Sequence, residues 1–582
     1  MKKNLIVTTF VITTVLLIAI LTLTILCLTK NRQNNKRPDK DGIEWSNPNP
    51  NPTNGVRLSS LPNRNLNSKR PDKNGVEWSK PDKNGVRLST IKVPVEYHDN
   101  YHDDDHDDDH DDDDHDNDLS IAIAILPCRK KAKGVLIANP GGPGTGGVSF
   151  LQAWGPALPK EILDNFDIVS FDPRACGSSE PQVSCEAGDA IHTADPTTVE
   201  GRMQILSAVN ERATNCASLN PVQLASIGTV NTVLDVEYIR QLLHADTISF
   251  IGYSYGSRLG ALYATMFPNR VRAMVLDGNM PPIPSIMKTA IEGSMSFELV
   301  LNRFFEICNN DTTSPLYKKA KEVYDTALQN VKNKRVLVEG TPLSVGVFFG
   351  AVMTALPFTG IMKWPIQNLW PTLVKGLIDA TTLAPGTASI ATASGVVLNE
   401  LATLGDVGRH SGTKSSTSYV AILAMDNPDR LTAEDILATA AVIQQRAPRL
   451  GIAAFMDIAT IGFNWPVLPT PTPPINVPEE VPVLLLGNVY DPETPYIWTQ
   501  ELALAMKGSV VQTWQGIGHT AFNTNEPPCN CIGQATVDFL LHPNNISKNS
   551  KKKGLVCTGC TTPKTNNVSF NHVLVKQQIP HI

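Results

Sequence analysis

Two periods alternate along the middle of the chain. LSIAIAIL (119–126), GVLIANP (134–140) and FDIVSFDP (166–173) are short apolar runs with the signature of buried strands. VEYIRQLLH (236–244) then repeats with a helical period, TISFIG (247–252) is again strand-like, and SRLGALYATMFP (257–268) is rich in helix formers. Strands alternating with helices predict a mostly parallel α/β sheet. Between 281 and 480 the pattern turns helical, in segments such as SFELVLNRFFEI and AEDILATAAVIQQ, and the strand signal resumes at VPVLLLG (481–487). The expected organisation is a sheet core in two parts, 77–280 and 481–582, separated by a helical cap over 281–480. IKVPVEYHD (91–99) alternates at the strand period and predicts the first strand.

The hydropathy extreme lies at the amino-terminal end. Residues 5–28 form an uncharged apolar run after MKKN, long enough to cross a bilayer as one helix. It ends without a small-x-small site, so an uncleaved transmembrane signal anchor over 1–29 is expected, with a secreted form as the alternative. The basic residues Lys30, Arg32, Lys36, Arg37 and Lys40 just after the run would hold the carboxyl side in the cytosol. Cysteines and sequons argue for the opposite side. Cys529, Cys531, Cys557 and Cys560 crowd one end with no histidine placed to complete a zinc site, so disulfides in an oxidising compartment are expected. Asn310, Asn545 and Asn567 each begin a glycosylation-type triplet. A luminal or extracellular body, glycosylated and anchored in a membrane, follows as the expectation.

Residues 30–76 repeat themselves in part, KRPDKDGIEWS returning as KRPDKNGVEWS, and are expected to form a flexible stalk. Within 98–118 lies HDNYHDDDHDDDHDDDDHD, whose aspartates repel one another and form helix poorly; a solvated insert is expected, with a weak divalent-metal site between His98 and His115 as the alternative. The net charge of −6 concentrates in that tract and leaves no basic face, which argues against nucleic acid.

The candidate chemistry sits where strand gives way to helix. Gly252-Tyr253-Ser254-Tyr255-Gly256 at that junction fits a nucleophile elbow; the alternative is a serine in an ordinary turn. A serine hydroxyl needs a histidine base oriented by a carboxylate, in the chain order serine, acid, histidine on this scaffold. Asp491 follows one buried strand in LLLGNVYDPETP and His519 follows another in VVQTWQGIGHTAF, with Glu493 as a rival to Asp491. None of the other eleven histidines follows a strand in this way. LIANPGGPGTGG lets backbone approach a substrate carbonyl, so the amides of Gly142 and Tyr255 are the expected oxyanion donors. A phosphate loop would need a following Gly-Lys-Ser/Thr, which is absent, while a simple Gly-Pro turn stays open.

From about Trp78 to Cys560 the chain resembles the tripeptidyl-aminopeptidase-like branch of the α/β-hydrolases, related to prolyl iminopeptidases. The resemblance runs through VPVEY, NPGGPGTGG, FDPRACGSS, GYSYGSRLGALYATMFP, VLDG, NWP, DPETP and GIGHT, in family order. It implies an α/β-hydrolase fold with a helical cap, a triad of Ser254, Asp491 and His519, no cofactor, and serine peptidase activity on the free amino end of a peptide. Three positions depart from the family: Ala175 where it usually has glycine, and Met425 and Gly462 where it often has cysteines, which would leave Cys308 unpaired. An esterase or lipase on the same scaffold is the first rival reading, and a non-catalytic adhesion or binding ectodomain the second. No oligomeric state is expected from these patterns.

Overall fold

The computed structural model describes residues 76–97, 118–185, 190–338, 340–358, 369–381, 414–522, 530–545 and 555–557. The expected transmembrane helix, the stalk and the Asp/His-rich insert lie outside them. No helix among the described residues is long and apolar enough to cross a membrane.

Nine strands form one sheet: β1 (Arg87–Val93), β2 (Leu119–Leu126), β3 (Gly134–Asn139), β4 (Phe166–Phe171), β5 (Ile248–Tyr253), β6 (Val271–Asp277), β7 (Val483–Tyr490), β8 (Val510–Ile517) and β9 (Leu555–Cys557). Their order is β1-β2-β4-β3-β5-β6-β7-β8-β9. β2 runs antiparallel to both β1 and β4, and from β4 to β9 every pairing is parallel. The sheet is thus the mostly parallel one the periodicity predicts, with its first two strands forming an antiparallel edge. β1 stops at Val93 instead of continuing through residue 99, because Pro94 has no N–H to give the ladder.

The central strands are apolar on both faces, as strands covered on both sides must be. On one face Ile137, Phe250, Leu276 and Leu485 pack with Val233, Val236 and Ile239 of α1 (Thr229–Leu242) and with Leu259 and Leu262 of α2 (Tyr255–Met266). On the other, Leu136, Ile251, Val275, Leu484 and Leu486 pack with Phe150, Trp154, Phe539 and Leu540. A disulfide between Cys531 and Cys557 ties the Asn530–Leu541 helix to the last strand. A second joins Cys185 to Cys216, while Cys128, Cys176 and Cys308 are free thiols.

Between β6 and β7 the chain builds a helical layer with its own core. Phe304 and Cys308 of α3 (Ile286–Asn310) meet Phe349, Trp370, Ile443 and Phe455 from later helices. Ile205, Leu206 and Val209, on a helix that precedes the nucleophile in the chain (Val199–Leu219), join the same cluster, so the layer recruits residues from outside 281–480.

FDPRACGSS follows β4 and anchors the sheet edge. The Arg174 guanidinium grips the Asp235 carboxylate of α1 with two hydrogen bonds, 2.7 and 2.8 Å, and Asp235 also accepts from Tyr97 at 2.8 Å. Both charges are completely buried, a pairing costly to break from either side. The next residue, Ala175, sits at φ 58°, which explains the family's usual glycine there: a Cβ in this region costs about 1 kcal/mol.

Candidate active site

Every candidate group lies at or just beyond the carboxyl end of a parallel strand, where loops of an open α/β sheet converge on a ligand. Gly141 and Gly142 follow β3, Ser254 follows β5, Asp491 follows β7 and His519 follows β8.

Ser254 adopts φ 53°, ψ −124°, a conformation almost no side chain tolerates unless its surroundings enforce it. They do so from two sides. The Ser254 amide donates to the Asp277 carbonyl at 2.8 Å, and its carbonyl accepts from the Ser257 amide at 2.9 Å. The turn is so tight that a Cβ on Gly252 would lie 2.2 Å from the Gly256 carbonyl oxygen. A Cβ on Gly141 would likewise lie 2.3 Å from the Tyr253 carbonyl oxygen and 3.1 Å from the Tyr255 amide nitrogen. The glycine loop therefore rests directly against the elbow, on the side of the Tyr255 amide. Gly142 continues that loop at φ 103°, and this backbone supplies the kind of N–H donors an oxyanion needs.

The tyrosine that follows Ser254 is held from the helical layer. Its hydroxyl bonds Thr229, and Asp426, at the end of α4 (Lys414–Asp426), accepts from the Thr229 amide at 2.7 Å and from the Tyr255 hydroxyl at 3.3 Å. Arg258 stands 4.0 Å from the same carboxylate, and all four side chains are buried.

Asp491 is buried and saturated with donors. Its carboxylate accepts from the amides of Glu493, Thr494 and Thr520 at 2.9–3.0 Å, from the Thr494 hydroxyl at 2.9 Å, and faces His519 Nδ1 at 3.0 Å from both oxygens. That arrangement fixes the ring and leaves Nε2 to face the site. His519 is close to the elbow as well: a Cβ on Gly278, the residue after Asp277, would fall 3.3 Å from His519 Cε1. Burial alone would push the imidazole's pKa down. The charges of Asp491 and Glu493, with the Asp491 hydrogen bond, outweigh it and carry the pKa up to about 9.

Glu493 does not compete with Asp491 for Nδ1. Its carboxylate stands on the opposite side of the ring, 3.3 Å from Nε2.

Two residues with no role in the sequence reading organise the loops. Asp277, fully buried at the end of β6, accepts from the amides of Ala521 (2.8 Å) and Phe522 (2.6 Å) and so clamps the histidine loop to the strand next to the elbow. Burial pushes its pKa up to about 7 against those two donors. Thr494 closes a turn onto Asp491. The aspartate of the VLDG motif and the threonine of DPETP were the available signals, since a buried carboxylate must find donors. The helical layer reaches both loops: the Ser296 hydroxyl donates to the Asp491 carbonyl at 2.6 Å, and the His519 amide donates to the Pro357 carbonyl at 3.2 Å.

Comparison with known proteins gives two family-model matches, one described as alpha/beta hydrolase fold over residues 134–359 and one as TAP-like protein over 456–552. The chain is 29% identical to the serine protease Hip1 of Mycobacterium tuberculosis over 440 residues, covering 72% of this chain and 81% of that one. It is 29% identical over 476 residues to a carboxylesterase B of the same organism, covering 78% and 84%. A tripeptidyl aminopeptidase of Streptomyces coelicolor matches at 35% over 161 residues, 26% of this chain and 30% of that one.

Proposed function

We propose, for a chain that belongs to the α/β hydrolases and to their TAP-like branch of serine peptidases, an exopeptidase that releases residues from the free amino end of a peptide through an acyl-enzyme. The observation that carries the reading is the imidazole fixed at Nδ1 by a saturated carboxylate, beside a serine in the elbow conformation. Ser254 Oγ attacks the scissile carbonyl carbon while His519 Nε2 takes its proton. The amides of Gly142 and Tyr255 receive the oxyanion. As the carbon–nitrogen bond breaks, His519 returns the proton to the departing amine, leaving Ser254 acylated. Water then attacks the ester, giving its proton to His519, and the acid departs as Ser254 is reprotonated.

The helical layer supports the exopeptidase reading, because it bonds both loops, through Ser296 to the Asp491 carbonyl and through Pro357 to the His519 amide, as a cap over the site would. The names of the relatives divide: one is a serine protease and one a tripeptidyl aminopeptidase, whereas the carboxylesterase favours an ester substrate. Paired substrates decide between them. Short peptides with a free amino terminus are expected to give kcat/KM at least 10²-fold above their N-acetylated counterparts, since acetylation removes the charge that a site built for an ammonium is made to pair. Equal values, or hydrolysis confined to simple esters, would move the protein to the esterase reading.

The body is placed on the luminal or extracellular side of a membrane, anchored through the apolar run at 5–28. Two disulfides and the exposure of Asn310 and Asn545, both in sequons, support that side. Expression of the full chain in a glycosylating eukaryotic cell should yield glycans at those asparagines, removable by a glycosidase; unmodified asparagines on membrane-inserted protein would place the body in the cytosol.

A further inference from the structure

The nitrogen that must take the Ser254 proton is occupied. His519 Nε2 faces the Glu493 carboxylate at 3.3 Å, and the Ser254 hydroxyl has no hydrogen-bond partner among the described residues. The Glu493 side chain is 39% exposed and has no other polar partner there, so it can leave the ring without stranding a second group. Asp491, by contrast, is locked by its four backbone and hydroxyl bonds. One carboxylate is therefore fixed and the other free to exchange.

Resting on the exopeptidase reading above, we propose that Glu493 receives the α-ammonium of the substrate residue that supplies the scissile carbonyl, exchanging His519 for it and so releasing Nε2 to act as the base.

Reach favours that residue over a more distant one. With N–Cα and Cα–C bonds of about 1.46 and 1.52 Å, an α-amine lies roughly 2.5 Å from its own carbonyl carbon. When Oγ and Nε2 are within proton-transfer reach, a carbon in attack position about 3–3.5 Å from Oγ has its amine within a few ångströms of the Nε2 side of His519, where Glu493 stands. In a tripeptidyl substrate two further residues, each spanning up to roughly 3.5 Å, would carry the amine out of reach. The inferred preference is for single-residue release.

The charges make the exchange productive. Three carboxylates, Asp491, Glu493 and Asp277, surround the imidazole and hold it protonated up to about pH 9. With Asp491 charged on the other side of the ring, the Glu493 carboxylate gains from a cationic partner. When an ammonium takes Glu493, the imidazolium loses one of its anions, its pKa falls, and it releases its proton to solvent. A neutral Nε2 then faces Ser254. An N-acetylated substrate carries no charge and leaves the Glu493–His519 pair closed.

The test compares wild type with Glu493→Gln on an amino-acid anilide, its N-acetyl counterpart and a tripeptide anilide, and follows fluorophosphonate labelling from pH 6 to 10 without substrate. For the variant, the kcat/KM ratio of free to acetylated anilide should fall about 30-fold, the magnitude of a lost charged partner, and more for the single residue than for the tripeptide. Its labelling midpoint should move to lower pH, a shift that loss of fold would not produce. Complete labelling of the variant at saturation certifies a folded site. Glu493→Asp, with its carboxylate one methylene further back, should lower the ratio while moving the midpoint less. A wild-type preference for free amines that survives in both variants, with the labelling midpoint unmoved, overturns this inference and leaves the peptidase standing. A wild type with no such preference overturns the peptidase reading itself.

Discussion

Ser254→Ala should abolish fluorophosphonate labelling and lower turnover on the order of 10³-fold or more, while thermal stability changes little. The separation of the two effects follows from the geometry. Alanine keeps the Cβ and both backbone bonds that hold residue 254 at φ 53°, the amide to the Asp277 carbonyl and the carbonyl to the Ser257 amide. The only atom lost is Oγ, which bonds nothing among the described residues, so no buried partner is stranded. Whatever activity disappears is then chemistry. Equal labelling of wild type and variant would remove Ser254 from the mechanism and leave the elbow as a turn of structural interest only.

The elbow could be read from the chain because its physics is local. A nucleophile at the end of a buried strand needs small residues two before and two after it, and Gly252 and Gly256 sit against other backbone at distances no Cβ allows. The mostly parallel sheet was legible for a related reason, since strands covered on both faces must be apolar on both. What periodicity could not provide was the partner of each strand: β2 is an apolar run like β3, yet pairs antiparallel, and nothing in its eight residues distinguishes the two. Pro94, which ends β1, is the kind of punctuation a sequence does show.

The sequence reading placed Asp491 and Glu493 as rivals for a single task. The structure gives them opposite nitrogens of one ring, a difference set by the turn that Thr494 closes and by contacts with Thr520, twenty-six residues further on. Asp277 escaped for a similar reason: its donors, the Ala521 and Phe522 amides, are more than two hundred residues away. Departures from the family were more informative than agreement. Ala175 marks a positive φ, and Cys308 is a buried free thiol whose pKa burial pushes up to about 12, so it is inert as a nucleophile.

Asp491→Asn should lower kcat/KM about 10⁴-fold, more than the loss of one charge would explain. With its carbonyl oxygen in the place of Oδ1, an asparagine still accepts from the Glu493 and Thr494 amides, so the turn keeps its two backbone donors, while the Thr520 amide loses its acceptor at Oδ2. Its NH2 group, turned toward His519, would donate to Nδ1 and put the ring's own proton on Nε2. Glu493, already 3.3 Å from that nitrogen, would accept this proton and hold the wrong tautomer in place. The variant also changes the pH dependence of stability. In the wild type the His519 pKa is about 9, above its ordinary value of 6.5, so the carboxylates around it contribute stability that is full below about pH 6.5 and lost as pH rises through about 9. Removing one of them lowers the folded-state pKa, so the variant should lose less stability than wild type between pH 7 and 9. Thermal melts across that range and a titration of the His519 ring by NMR read both effects together with kcat/KM. An activity loss of less than 10-fold, with the imidazole pKa unmoved, would show that His519 is oriented by another group and that Asp491 serves only the fold of its loop.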